Sequence, residues 1–288
     1  MTQFVLSYGP LFDLVCIYSI LAFSQYISLR AGVFSLATPA FALVGAYCGG
    51  ILLKETGLGP LASTLAATLL GTGVGLFLSL PLARLRGGFQ AIATIGFVQI
   101  MVALTLYAEP LTGGALGLNG IPKVATTPWL LGALIATMVF LTTINRTSIG
   151  RAFDAIRQDI TVASSLGISV PHFFRLNFAL SGAIGGLGGC LLAFNTYSIT
   201  ADEFGFSLLV VVLAAVILGG RSMVAGPVVG TIILLALPEL ARPLRDQRLL
   251  LQGALLVVMI IYMPQGLIDS TVHQWRRLRP KVLSKVAP

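Results

Sequence analysis

Charge is scarce in this sequence. Only 10% of the 288 residues are Asp, Glu, Lys or Arg, while 56% are hydrophobic; soluble domains carry roughly a quarter charged residues. A water-facing surface cannot be built from so little charge, so a soluble globular domain is excluded and a lipid-embedded chain is indicated. Histidine is rarer still. His172 and His273 stand far apart, and no H-E-x-x-H or G-x-S-x-G pattern occurs, so metallohydrolase and serine-hydrolase chemistry lack their usual constellations. The three cysteines, Cys16, Cys48 and Cys190, form no C-x-x-C pair. They read as buried apolar thiols, with neither a disulfide framework nor a metal site. No G-x-x-x-x-G-K-[ST] loop is present, and no Gly-Lys pair occurs anywhere. The chain is therefore expected to be no enzyme, to hold no cofactor, and to leave any ATP to another subunit. With no basic stretch before the first apolar run, a cleavable signal peptide is not expected.

Long uncharged runs are what the sequence has instead. Crossing a hydrocarbon core of ~30 Å takes about 20 predominantly apolar residues. Runs that meet or approach this length are Leu14–Leu29, Ala31–Leu53, Pro60–Leu80, Phe89–Ala108, Pro128–Asn145, Leu176–Ala201, Phe204–Gly220, Ser222–Pro238 and Leu249–Ile268, and none contains Asp, Glu, Lys, Arg or His. The expectation is an all-α polytopic membrane protein with about nine spans (eight to ten) forming one permease domain over residues 1–288. Without buried charge, proton-driven transport loses its usual residues, although sodium coupling through hydroxyls and carbonyls stays open.

The net charge of +8 has the sign that nucleic acid attracts, but the basic residues fall between the spans. If the basic tail 271–288 is cytoplasmic and nine spans alternate, thirteen of the 18 basic residues lie inside, as the positive-inside rule requires. Lys54, Lys123, Arg242, Arg245 and Arg248 fall outside, the three arginines of 242–248 being the discordant group.

Glycine is plentiful, with 32 residues. Gly45/Gly49, Gly71/Gly75, Gly182/Gly186 and Gly185/Gly189 have the small-xxx-small spacing that lets membrane helices approach closely. The run Gly71-Thr72-Gly73-Val74-Gly75 does not complete a dinucleotide fingerprint. Polar side chains inside spans, Gln25, Ser35, Thr38, Thr94, Gln99, Ser181 and Asn195, are candidates either for lining a solute path or for hydrogen bonding between helices. Ser35-Leu36-Ala37-Thr38-Pro39 is the best local case. Pro39 disturbs the preceding turn, which either makes a simple kink or frees carbonyls for a polar solute.

The loop 145–175 is the longest polar interruption. At helical spacing Arg151, Asp154, Gln158, Thr161 and Ser165 share one face, and Phe153, Ile156, Ile160 and Ala163 another, with Gly167 placed to end the helix in the left-handed conformation. Such a helix either lies flat on the bilayer or docks its apolar face in a groove of a soluble partner. The residues alone leave the two readings level.

The stretch Gly150-Arg151-Ala152-Phe153-Asp154-Ala155-Ile156-Arg157-Gln158-Asp159, continuing to Leu166-Gly167-Ile168, resembles the cytoplasmic loop of the branched-chain amino acid ABC-transporter permeases, the Liv-type membrane subunits. Further similarities run in order through Arg84-Leu85-Arg86-Gly87-Gly88, Thr112-Gly113-Gly114-Ala115-Leu116-Gly117, Leu218-Gly219-Gly220, Gly226-Pro227 and Pro264-Gln265-Gly266-Leu267, covering roughly residues 30–270. Two positions depart from the family pattern. Gly32-Val33-Phe34-Ser35-Leu36-Ala37-Thr38 stands where the family has G-x-x-S-L-G-H, and Arg221 where it has a third glycine.

The resemblance implies an importer subunit in a bacterial inner membrane, partnered by ABC ATPase subunits, a second identical or homologous permease and an extracytoplasmic solute-binding protein. Arg151, Phe153, Asp154, Ile156, Arg157, Gln158, Ile160, Leu166 and Gly167 would then form the ATPase-coupling segment. Branched-chain amino acids are the first expected cargo, with urea or short amides next and an ion-coupled carrier as the rival class.

Overall fold

The structure is a computed structural model that describes residues 2–82, 85, 87–221 and 223–240. The expected span Leu249–Ile268, the tail 271–288, the arginines of 242–248, Arg84-Leu85-Arg86 apart from Leu85, and Pro264-Gln265-Gly266-Leu267 lie outside the described residues. Helices dominate: α1 (Thr2–Arg30), α2 (Thr38–Glu55), α3 (Pro60–Leu82), α4 (Gly88–Tyr107), the single turn α5 (Glu109–Thr112), α6 (Thr127–Arg146), α7 (Ser148–Gln158), α8 (Ile160–Ser165), α9 (Val170–Asn195), α10 (Phe206–Gly219) and α11 (Ala225–Leu240). Among the described residues six helical segments are long and apolar enough to cross a membrane. The chain is thus an all-α polytopic membrane protein.

α1 and α9 are the central pair, largely buried, with α2 and α3 packed on α9. Small residues set these approaches. A Cβ on Gly45 would collide with the Gly186 backbone, one on Gly71 with the Gly182 carbonyl, one on Gly75 with that of Phe178, and one on Gly189 with Ala42. All four spaced glycine pairs therefore lie at helix crossings, where loss of a side chain brings backbones into contact. The opposite faces are greasy. Leu61, Leu65, Leu69 and Phe77 of α3, Ile92, Ile100 and Leu104 of α4, and Ile135 and Val139 of α6 point outward, as lipid-facing side chains must.

Three boundaries differ from the sequence expectation. The run Ala31–Leu53 is not one span: residues 31–37 are non-helical and α2 starts at Thr38 with Pro39 in its first turn, where a missing N–H costs nothing. α1 stops because Gly32, at φ 73°, closes a Schellman cap, with Val33 N–H on the Ser28 carbonyl and Gly32 N–H on that of Leu29. α9 begins earlier than Leu176, with Pro171 in its first turn, and ends at Asn195. The chain then turns to pair Ser198–Ile199 (β2) antiparallel with Leu118–Asn119 (β1).

The third difference concerns Asp13. Pattern reading starts the first span after it, but α1 runs straight through, and Asp13 is 8% exposed with Oδ1 unpartnered. It lies seventeen residues before Arg30, about 25 Å along the axis, near the far edge of a ~30 Å core. The expectation that no carboxylate enters a span is corrected at this edge position.

The two ends of the bundle carry different contacts. Arg30 meets Asp154 of α7 at one end. At the other, the loop holding β1 meets the turn after α9.

Candidate functional site

The break between α1 and α2 is bonded to α4, and a polar seam runs from it through α1 to α9. In α1, Ser24 and Gln25 lie six and five residues before Arg30, about 9 and 7.5 Å along the axis. The Gln25 side-chain amide spans the break: Nε2 donates to the Ser35 carbonyl at 2.7 Å, and Oε1 accepts from Thr38 Oγ1 at 2.9 Å. Ser24 Oγ lies 3.0 Å from Ser181 Oγ of α9, and each hydroxyl also donates to the other residue's carbonyl, at 2.8 and 3.0 Å. Across the seam, Leu36 N–H donates to Thr94 Oγ1 of α4 at 3.0 Å. Extended backbone at membrane depth is tolerated only where protein satisfies its polar groups or where it borders a cavity. Here Gln25 of α1 and Thr94 of α4 supply those partners, and Ser35 Oγ accepts from Ala37 N–H at 3.3 Å within the break.

Gln25, Ser35, Thr38, Thr94 and Ser181 are therefore brought together. Gln99 is not, since it is exposed on the outer face of α4 beside Gly96 and Ile100. Asn195 is half-buried at the other end of α9 with Oδ1 unpartnered. Sequence reasoning missed Ser24, Ser28, Gln90 and Asn177, all buried. Asn177 Nδ2 lies 3.5 Å from Ser28 Oγ, and Gln90 Nε2 and Asn177 Oδ1 have no partner. Helical spacing was the available signal: Ser24/Ser28, Gln90/Thr94 and Asn177/Ser181 are each four residues apart and share a face. Beside the break, a cleft of about 220 Å³ opens between Leu29 and Phe34 on one side and Val216, Ile217 and Arg221 on the other.

The loop after α6 forms two helices. Asp159, in extended backbone, ends α7 and caps α8, its Oδ1 accepting from Thr161 N–H at 2.7 Å and Val162 N–H at 3.1 Å. The cap bonds to Val162 and Thr161 hold the Asp159 carboxyl below its ordinary range. Gly167, at φ 82°, terminates α8 as expected, with Ile168 N–H on the Ala163 carbonyl and Gly167 N–H on that of Ser164. Replacing Asp159 by alanine should speed amide hydrogen exchange at Thr161 and Val162 by roughly fivefold. Because the folded-state pKa is depressed, wild-type protection should hold from neutral pH down to the ordinary carboxylate range near ~4. It should fade as pH falls through the lower folded value.

The apolar face of α7 is covered from within the chain. Phe153 is 1% and Ile156 2% exposed, and Phe153 stacks edge-on against Phe173 of α9 at 6.1 Å between ring centres. Their apolar surface is consumed by the chain's own helices, so neither can plug a groove on a partner. Ile160 is half-buried against the core and Asp154 is turned toward Arg30. Arg151, Arg157, Gln158, Leu166 and Gly167 are exposed, and Val162 and Leu166 carry the outward apolar surface, 55% and 72% exposed.

Residues 11–263 match the family described as branched-chain amino acid transport system / permease component. The chain belongs to this permease family. Among its relatives, the high-affinity branched-chain amino acid transport system permease protein LivM of Escherichia coli (strain K12) is 30% identical over 282 residues, covering 85% of this chain and 65% of LivM. LivM of Salmonella typhimurium matches to the same extent. The autoinducer 2 import system permease protein LsrD of Yersinia enterocolitica is 28% identical over 268 residues, 88% of this chain and 75% of its own length. The permease thus spans about 65% of the length of the LivM relatives it matches. No solved structure matches it.

Proposed function

We propose that the permease is a membrane subunit of an ATP-binding-cassette importer of the bacterial inner membrane, moving branched-chain or related amino acids. The family match over residues 11–263 carries the reading, and the 30% identity to LivM gives branched-chain amino acids the lead. ATP binding belongs to separate ATPase subunits, which engage the α7–α8 segment, and an extracytoplasmic binding protein delivers the cargo. The solute crosses beside the break at 31–37, where Gln90 and Asn177 retain unpaired polar atoms. A second permease subunit covers part of the outer surface. Gln99 supports this, because an amide on an otherwise apolar face is costly against lipid and is satisfied by a neighbouring helix. The similarity to LsrD favours one second reading, the same machine with another small polar cargo.

The test is purification of the tagged permease from its native membrane in mild detergent, with identification of the co-purifying proteins. A P-loop ATPase should be recovered, and vesicles holding the complex should accumulate radiolabelled leucine only with ATP. Isolation of the permease alone, with leucine uptake independent of ATP, would replace the importer by an ion-coupled carrier. ATP-dependent activity that ignores leucine but takes autoinducer 2 would establish the second reading.

A further inference from the structure

Among the described residues a single ion pair is present, and it sits at the joint between the cytoplasmic segment and the helix break. Arg30, the last residue of α1, places Nη2 3.0 Å from Asp154 Oδ2 of α7 and donates through Nη1 to Tyr26 Oη at 3.0 Å. The guanidinium is mostly buried, whereas the carboxylate is more exposed. Asn145, at the end of α6, reaches the same Tyr26 hydroxyl at 3.4 Å. Two residues on, Gly32 lies against α7 so closely that a Cβ would stand 2.9 Å from the Arg157 Cα. α7 is thereby fixed to the first residues of the break by a charged pair and by a direct backbone seat. Beyond the seat, Ser35 and Leu36 are bonded to Gln25 and Thr94. A displacement of α7 has a short, stiff route into the polar seam.

Resting on the importer reading, we infer that Arg30, Asp154 and Gly32 are positioning residues for transport, handing movement of α7 to residues 31–37 and so to the seam at Gln25, Thr94 and Ser181. The surface that meets the ATPase, at Val162 and Leu166, is then separate from the joint that transmits its motion. Asp154, placed on the polar face by helical spacing, acts inward within the chain. The pair also has an energetic asymmetry that suits a joint. Removing Asp154 leaves a mostly buried guanidinium without its carboxylate, so the joint loosens, whereas Asp154→Glu keeps the charge and can re-form the pair.

The experiment follows the seam by thiol labelling. In a background with the three native cysteines replaced by alanine, Ser35→Cys reports the break, and Ser63→Cys, equally buried in α3, reports general loosening. The permease is purified with its ATPase and labelled with N-ethylmaleimide, with and without ATP plus vanadate. ATP should change the Ser35→Cys labelling rate by about fivefold or more, a shift in local opening. Asp154→Asn should reduce that change to within about twofold of none, while the ATPase still co-purifies and hydrolyses ATP. Ser63→Cys should not respond, and Asp154→Glu should restore the response. An unchanged ATP response in Asp154→Asn, or equal loosening at Ser63→Cys, overturns the inference. If no ATPase accompanies the wild-type permease, the importer reading has failed and the transport role of the joint fails with it. The isolated chain then decides the mechanical link itself. Faster Ser35→Cys labelling in Asp154→Asn, with Ser63→Cys unchanged, upholds that link, and no difference disproves it.

Discussion

Gly189→Leu should prevent the permease from reaching its native packing. α9 touches α2 at this residue through backbone alone: a Cβ would collide with the carbonyl oxygen, carbonyl carbon and Cα of Ala42. Side chains can rotate away from an intruder, but helix backbone must move as a body. Moving α2 away from α9 would also strip the contacts of Gly45 with Gly186 and of Gly49 with Cys190. Overpacking a well-packed site typically costs 1–3 kcal/mol. Gly189→Ala should fall near the top of that range, about 3 kcal/mol. Leucine, needing far more room, should exceed what a domain with a net stability of about 5–15 kcal/mol can bear. The comparison is Gly73→Leu, where a Cβ meets nothing within 4 Å. Size-exclusion chromatography and thermal melting in mild detergent should show a monodisperse, wild-type-like Gly73→Leu protein and an aggregated or absent Gly189→Leu protein. Equal behaviour of the two would mean that α2 and α9 do not cross on this glycine.

The same contrast explains what could be read from the sequence. The glycine pairs were legible because small-xxx-small spacing has one physical use in lipid, and each pair falls on a crossing. Gly167 was legible for a similar reason: a left-handed cap after an amphipathic stretch needs glycine there. The break at 31–37 was less so. Ala31-Gly32-Val33-Phe34-Ser35-Leu36-Ala37 is as apolar as a helix, and hydropathy does not register a Schellman cap at Gly32 or the side chains of Gln25 and Thr94 that replace the lost backbone bonds. Pro39 was noticed as a disturbance, yet its consequence reaches only backward, to where α2 begins. The polar seam was half legible. Gln25, Ser35, Thr38, Thr94 and Ser181 stood out as polar residues inside uncharged runs, whereas Ser24, Ser28, Gln90 and Asn177 acquire meaning only from the helices packed against them.

In the α7–α8 segment a correct pattern left its covering partner unnamed. Amphipathicity reports that one face of a helix is covered, not by what. Phe153 and Ile156 meet that requirement inside the molecule, against Phe173 and the core. A disruptive double substitution at Asp154 and Ile156 would therefore damage the permease itself rather than isolate the docking step. The informative change lies one helix further on.

Val162→Asp combined with Leu166→Asp should abolish recovery of the ATPase while leaving the permease folded. Both side chains are largely exposed, so a carboxylate at either position stays hydrated in the free protein and stability should shift by no more than about 0.5 kcal/mol. In a complex the same carboxylates would be buried against a partner without a counter-charge, and truncating a central apolar anchor typically costs about 2–4 kcal/mol. Two such losses would weaken binding by at least about two orders of magnitude, even allowing for non-additivity. ATPase yield on the tagged permease should fall to background, ATP-driven uptake should vanish, and the melting temperature should stay within about 2 °C of wild type. Ile156→Asp should do the reverse at the first step, because its carboxylate enters the permease core: the melting temperature falls before any partner is added. A Val162→Asp, Leu166→Asp protein that still retains its ATPase would place the contact elsewhere. The exposed arginines Arg151 and Arg157 on α7 would then be the next surface to change, with an acidic partner face as the expected complement.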